Sequence, residues 1–144
     1  MLGTEQQVTE AYVETGQVKV VFWPVLNHGG PSVYSTLTAE CVGQQDPALF
    51  WDVHHLLFAN QPDLWNASRD YFVQTAVSVG ADQATFEACY DDPAALATIQ
   101  RLDEQRKNEW GIYSQPTFDI NGTRLFGSLS FNSFQEVIDA KLDG

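Results

Sequence analysis

Two features of this 144-residue chain could carry chemistry, its two cysteines, Cys41 and Cys89, and the dipeptide Gln115-Pro116. Dithiol redox work favours two cysteines a few residues apart, one held as a low-pKa thiolate. Cys41 and Cys89 are far apart, and no Cys-x-x-Cys occurs. An even count leaves two readings open from the residues themselves, one disulfide or two inert buried thiols. Gln115-Pro116 opens the run Pro116-Thr117-Phe118-Asp119-Ile120, which closes on Asn121-Gly122, a strong short hairpin signal. Proline cannot donate to a β-ladder and belongs at a strand's first residue. An X-Pro bond can also sit cis at about 0.5–1 kcal/mol against trans.

Metal chemistry has less support. His54 and His55 are adjacent, so on a helix they project about 100° apart, and no histidine pair has i,i+4 spacing with His28 or each other. Core and surface positions account for all three. Asn66-Ala67-Ser68 and Asn121-Gly122-Thr123 match glycosylation sequons, but the second is explained by its turn. Trp23, Trp51, Trp65 and Trp110 are expected in the core of a helical region rather than in a peptide-binding groove.

The elements that must position these residues are legible in caps and breakers. A helix is expected over about Thr4–Thr15, with Thr4 and Gln7 at capping-box spacing and Gly16 after it. Val18–Trp23 reads as a buried strand, ended by Pro24. Between Pro31 and Gly111 no strand is expected, and helices follow one another. The first covers about Ser32–Val42, and the second opens at Asp46-Pro47, where an N-cap precedes a proline at the first helical position. Others run over about Ala67–Val79, from an Asp82 cap through Cys89, and from Asp92-Pro93 towards Gly111. Strand 116–120, the Asn121-Gly122 turn, strand 123–127 and a helix capped by Ser130 finish the chain.

Composition narrows the partners. Seven Lys and Arg against nineteen Asp and Glu give a net charge of −12. A surface this acidic repels phosphate, which weighs against nucleic acid and anionic membrane as partners. No stretch reaches the ~18 apolar residues of a membrane span. The first residues show no apolar signal-peptide region.

The order α-β, several helices, β-β-α, with a proline opening the C-terminal hairpin, resembles a thioredoxin-like fold. More closely, the chain resembles the DsbA-like thiol-disulfide oxidoreductases. The likeness runs through Tyr12-Val13-Glu14-Thr15-Gly16-Gln17-Val18-Lys19-Val20-Val21-Phe22, Ala39-Glu40-Cys41, the block from Phe50 to Gln61, Phe86-Glu87-Ala88-Cys89 and Gln115–Gly122. The resemblance implies an α/β thioredoxin-like domain over 1–144. Residues 1–26 and 112–144 would form its thioredoxin part and 31–111 an all-helical insertion. It implies disulfide formation in extracytoplasmic proteins, extended cysteine-containing protein substrates, and no cofactor beyond cysteines. Pro116 would be the cis-proline facing the redox site, and Gln115 would offer its backbone to a substrate chain by β-augmentation. Cys41 and Cys89 would form a structural disulfide, stabilising by about 4 kcal/mol in the loop-entropy model.

Two departures accompany the likeness. The family's central strand and Cys-x-x-Cys would lie just upstream of residue 1, so the chain is expected to be inactive as it stands, whether a fragment, mis-started or a natural relic. An unpaired sheet edge between strands 18–23 and 116–120 is costly, which points to a homodimer or strand exchange. Of a different class is a non-catalytic binding module that keeps the cis-proline surface. A glutathione-dependent enzyme on a related fold is more distant, since no glutathione-binding residues are specified.

Overall fold

The computed structural model describes residues 2–144. The chain divides into two compact units, one made of the described residues up to Trp23 together with Gly111–Gly144, the other of Pro24–Trp110.

In the first unit, helix α1 (Leu2–Val8) runs into a π-helical turn, Thr9–Val13, in which the Glu14 N–H bonds the Thr9 carbonyl at 3.0 Å. The expected capping box is not used. The helix starts at Leu2, and the Thr4 hydroxyl instead donates to the Leu129 carbonyl at 3.3 Å. Strands β1 (Thr117–Ile120) and β2 (Thr123–Phe126) pair antiparallel, with Thr117 opposite Phe126 and Ile120 opposite Thr123. Their two-residue turn places Asn121 at φ 46° and Gly122 at φ 87°. Two successive positive φ values are what an Asn-Gly hairpin turn demands, and they match the strands' twist. Helix α7 (Phe131–Leu142) begins at Ser130, whose hydroxyl oxygen accepts from the Ser133 N–H. Phe134 of α7 meets Phe118 of β1 edge to face, ring centroids 4.7 Å apart. Tyr12, Phe134 and Ile138 are buried at the centre of this small core, with Val8, Val18, Phe118, Ile120 and Leu125 around them.

The expected strand over Val18–Trp23 does not form. Among the described residues the only ladder joins β1 and β2. Val20, Val21, Phe22 and Trp23 are 39, 62, 36 and 44 % exposed, where a buried strand was expected. Apolar, β-branched sequence favours a strand only when a neighbour supplies a ladder and a face to pack on. No described residue supplies that ladder.

The second unit is helical throughout: α2 (Gly30–Gly43), α3 (Pro47–Ala59), a 3₁₀ turn (Gln61–Asn66), α4 (Arg69–Ser78), α5 (Gln83–Tyr90) and α6 (Pro93–Asn108). Aspartate caps set three of the starts. Asp46, Asp82 and Asp92 each accept from a backbone N–H at 2.8 Å, at Ala48, Thr85 and Ala94 respectively. Each cap satisfies one donor that the helix leaves orphaned. Helix α2 carries the largest share of the core, with Leu37, Thr38, Cys41 and Val42 nearly or fully out of water, and packs against α3, α4, α5 and α6. Val53, Phe72, Ala76 and Phe86 close the core from the surrounding helices. Complete burial of such side chains is worth roughly 1.5–3 kcal/mol each.

The tryptophans are not that core. Trp65 is 63 % exposed and Trp110 48 %, Trp23 belongs to the other unit, and Trp51 is half-buried. Phenylalanine and aliphatic side chains have filled the interior without any indole N–H to satisfy.

Candidate functional site

The two candidate pairs lie in different units. Gln115 and Pro116 stand in the loop that leads into β1, joined by a cis peptide bond. Around them the Pro116 carbonyl accepts from the Gly127 N–H at 2.9 Å, and the Thr117 hydroxyl donates to the Ser114 carbonyl at 2.7 Å. These two bonds hold the loop at the open end of the hairpin, where β1 begins and β2 ends. Tyr113 is 67 % exposed and Gln115 faces solvent.

Cys41 of α2 and Cys89 of α5 form a disulfide, with Cα atoms 5.7 Å apart, and the described residues hold no other cysteine. Helix α2 puts Cys41 on its core side, 1 % exposed, because the neighbouring Leu37, Thr38 and Val42 face the same interior. Cys89 lies near the end of α5, one turn after the buried Phe86, and is half-buried. The disulfide crosslinks positions 48 residues apart, and its role is structural.

The histidines are scattered in role. His28 is exposed on the loop before α2, where its backbone N–H donates to the Ser32 hydroxyl at 3.1 Å. His54 is buried in α3 beside Phe50 and Phe58, while His55 on the same helix is exposed. Their rings stand 5.4 Å apart with planes at 81°, and a ring nitrogen of each lies within 4.8 Å of one on the other, closer than the divergence expected of adjacent helix positions.

Charge is organised chiefly by pairing on the surface and once in the interior. Arg69 grips Asp91 through two hydrogen bonds, 2.9 and 2.5 Å, and this fork pulls the Asp91 carboxyl below the usual carboxylate range. Asp103 is nearly buried on α6. Its carboxylate accepts from the Leu26 N–H and from Lys107, both at 2.7 Å. Arg106, one turn on, donates to the Pro24 carbonyl at 2.6 Å, and burial lowers its pKa. Together they tie the Pro24–Leu26 segment to α6.

One feature escaped the sequence reading. A cavity of about 270 Å³ opens in the helical unit with the disulfide in its wall, and Glu40, Gln44, Asp92 and Thr98 are among its other lining residues. A signal for it was present, since Glu40 directly precedes Cys41 and Asp92 follows Cys89 by nearly one helical turn. Only the meeting of α2, α5 and α6 turns those neighbours into one wall.

The thioredoxin family model matches residues 2–140. Disulfide bond formation protein D of Bacillus subtilis (strain 168) is 24 % identical over 141 residues, covering 96 % of this chain and 63 % of that protein. The Na(+)/H(+) antiporter NhaA of Herminiimonas arsenicoxydans is 29 % identical over 96 residues, covering 67 % of this chain and 15 % of that protein. The chain thus spans under two thirds of the length of either relative. No solved structure matches it significantly. With a family match that runs nearly end to end, over residues 2–140, the chain belongs to the thioredoxin family.

Proposed function

We propose that the chain carries the substrate-facing scaffold of an extracytoplasmic DsbA-type oxidoreductase and performs no dithiol catalysis with the residues it contains. The observation that carries this reading is the pairing of its only two cysteines. Family membership extends over residues 2–140, yet both thiols are committed to a crosslink between two helices. A catalytic dithiol must cycle between open and closed forms with one reactive thiolate. Cys41, buried on the core side of α2, is poorly suited to that.

In this reading residues 112–144 and 1–26 form one thioredoxin-like domain, and 31–111 are its helical insertion. Gln115 and Pro116 are the surface on which an extended cysteine-containing protein segment is laid. The exposed loop around Tyr113 and Gln115 supports this, as does the family's chemistry. Extracytoplasmic action is supported by the name of the Bacillus relative, a disulfide bond formation protein, and by the oxidised pair itself.

Turnover in an insulin-reduction or dithiol-oxidation assay is expected to equal that of a Cys41→Ala/Cys89→Ala control checked for folding by circular dichroism. Turnover well above that control would overturn the inactive reading.

A second reading is a non-catalytic binding module, supported by the exposed valines Val20 and Val21, which no ladder covers among the described residues. They invite pairing with a second copy, as a homodimer or by strand exchange. Light scattering behind size exclusion is expected to give a dimer mass, which Val21→Lys reduces to that of one chain. A well-folded monomer across the micromolar range would remove self-association from the account.

A further inference from the structure

We propose that the Cys41–Cys89 disulfide is, besides a crosslink, a site of thiol exchange for small thiols that are cationic or neutral, entered through the cavity beside it and always at Cys89. The two sulfurs are unequal. Cys41 is 1 % exposed and packed in the core, whereas Cys89 is half-buried at the end of α5. Both border the cavity of about 270 Å³, just below the ~300–1,000 Å³ of a drug-sized ligand site. That space suits a small thiol and excludes a folded protein's disulfide, so exchange here gives no turnover of insulin.

The wall selects by charge. Glu40 and Asp92 line the cavity, and Asp92 is fixed there because its carboxylate caps α6 through the Ala94 N–H. Arg106 faces Glu40 and offsets part of its charge, but its guanidinium is engaged by the Pro24 carbonyl and does not line the cavity. Among the described residues no basic side chain lines it. Gln44 adds a carbonyl-type oxygen 3.9 Å from Cys89 Sγ, a further negative pole towards an approaching anion. An anionic thiol is repelled, a neutral one is admitted and a cationic one is concentrated.

The chemistry balances with the small thiol as the named reductant. Its thiolate attacks Cys89 Sγ, a bond forms between the two sulfurs, and the Cys41–Cys89 bond breaks. The electron pair leaves on Cys41 Sγ, which takes a proton from water. A second thiolate attacks the small thiol's sulfur in the adduct, releasing the small disulfide and the Cys89 thiolate, which is protonated in turn. Two thiols are oxidised to one disulfide, and one protein disulfide is reduced to two thiols. Cys41 is a poor leaving group in apolar surroundings, so the first step is slow and readily reversed.

The test follows exchange on the full chain by mass spectrometry, using cysteamine, 2-mercaptoethanol and 2-mercaptoethanesulfonate at equal thiolate concentration. Circular dichroism is recorded in parallel. The rate is expected to rise linearly with thiol, peptide mapping to place the adduct on Cys89, and cysteamine to exceed the sulfonate on the order of tenfold, with the neutral thiol between them. Glu40→Gln with Asp92→Asn, which keeps a capping side chain, is expected to shrink that spread severalfold. A rate independent of thiol concentration, an adduct on Cys41, or equal rates for the three thiols would each overturn the proposal.

Discussion

Asp103 shows what one buried carboxylate does in this chain. It takes the Leu26 N–H at one oxygen and Lys107 at the other, and it is only 8 % exposed. Asp103→Ala orphans a backbone donor and a lysine together, so a loss of about 1–3 kcal/mol is expected in urea unfolding. Lys107→Met removes only the more exposed partner and is expected to cost under about 1 kcal/mol. Two other carboxylates set the acid limb. The Thr85 hydroxyl and then its backbone N–H hold Asp82 below the usual range, and the Arg69 fork does the same to Asp91. Because the folded pKa values are depressed, their contribution is in place above the unfolded value of about 4 and is lost as pH falls through the folded ones. The urea midpoint is therefore expected to fall below about pH 4, and Asp82→Asn with Asp91→Asn to flatten that fall.

At the scale of elements, the helical unit depends on its caps and the other unit on its turn. Asp46→Ala removes the acceptor for the Ala48 N–H and is expected to cost about 1 kcal/mol, with Asp46→Asn nearly neutral. Gly122 sits at φ 87° with its N–H donated to Asp119 Oδ1 at 2.7 Å. A β-branched residue cannot take that φ without strain, so Gly122→Val is expected to cost on the order of 1–3 kcal/mol. Amide exchange should then show the loss concentrated in β1 and β2. A similar loss throughout the helical unit would mean that the two units do not open separately.

For the molecule as a whole, charge and the crosslink are the large quantities. Seven basic against nineteen acidic residues leave −12, so pairs such as those of Asp91, Asp103 and Asp119 cannot neutralise the whole of the acidic charge. Self-repulsion at that charge is screened as the Debye length shrinks. The melting temperature is expected to rise between about 0.02 and about 0.5 M sodium chloride. Reduction of the Cys41–Cys89 bond releases a span of 48 residues in the unfolded chain, worth about 4 kcal/mol, or a fall of roughly 10 °C in thermal melts.

Local signals alone determined much of this protein. Asp46-Pro47, Asp82, Asp92-Pro93 and Ser130 fixed helix starts, and Asn121-Gly122 fixed the hairpin, because caps and turns are satisfied by atoms within a few residues. That these 144 residues hold two cysteines and no Cys-x-x-Cys was likewise readable in one line of sequence. Val18–Trp23 was misread because its β-prone composition says nothing of whether a ladder partner exists, and the tryptophans were misread because size and apolarity do not say which rings fill a core. Tertiary structure decided that Cys41 and Cys89 meet across 48 residues, that both border one cavity while Cys41 is far more deeply buried than Cys89, and that Glu40 and Asp92 share its wall. Each of these depends on how α2, α5 and α6 pack, and no local pattern contains that.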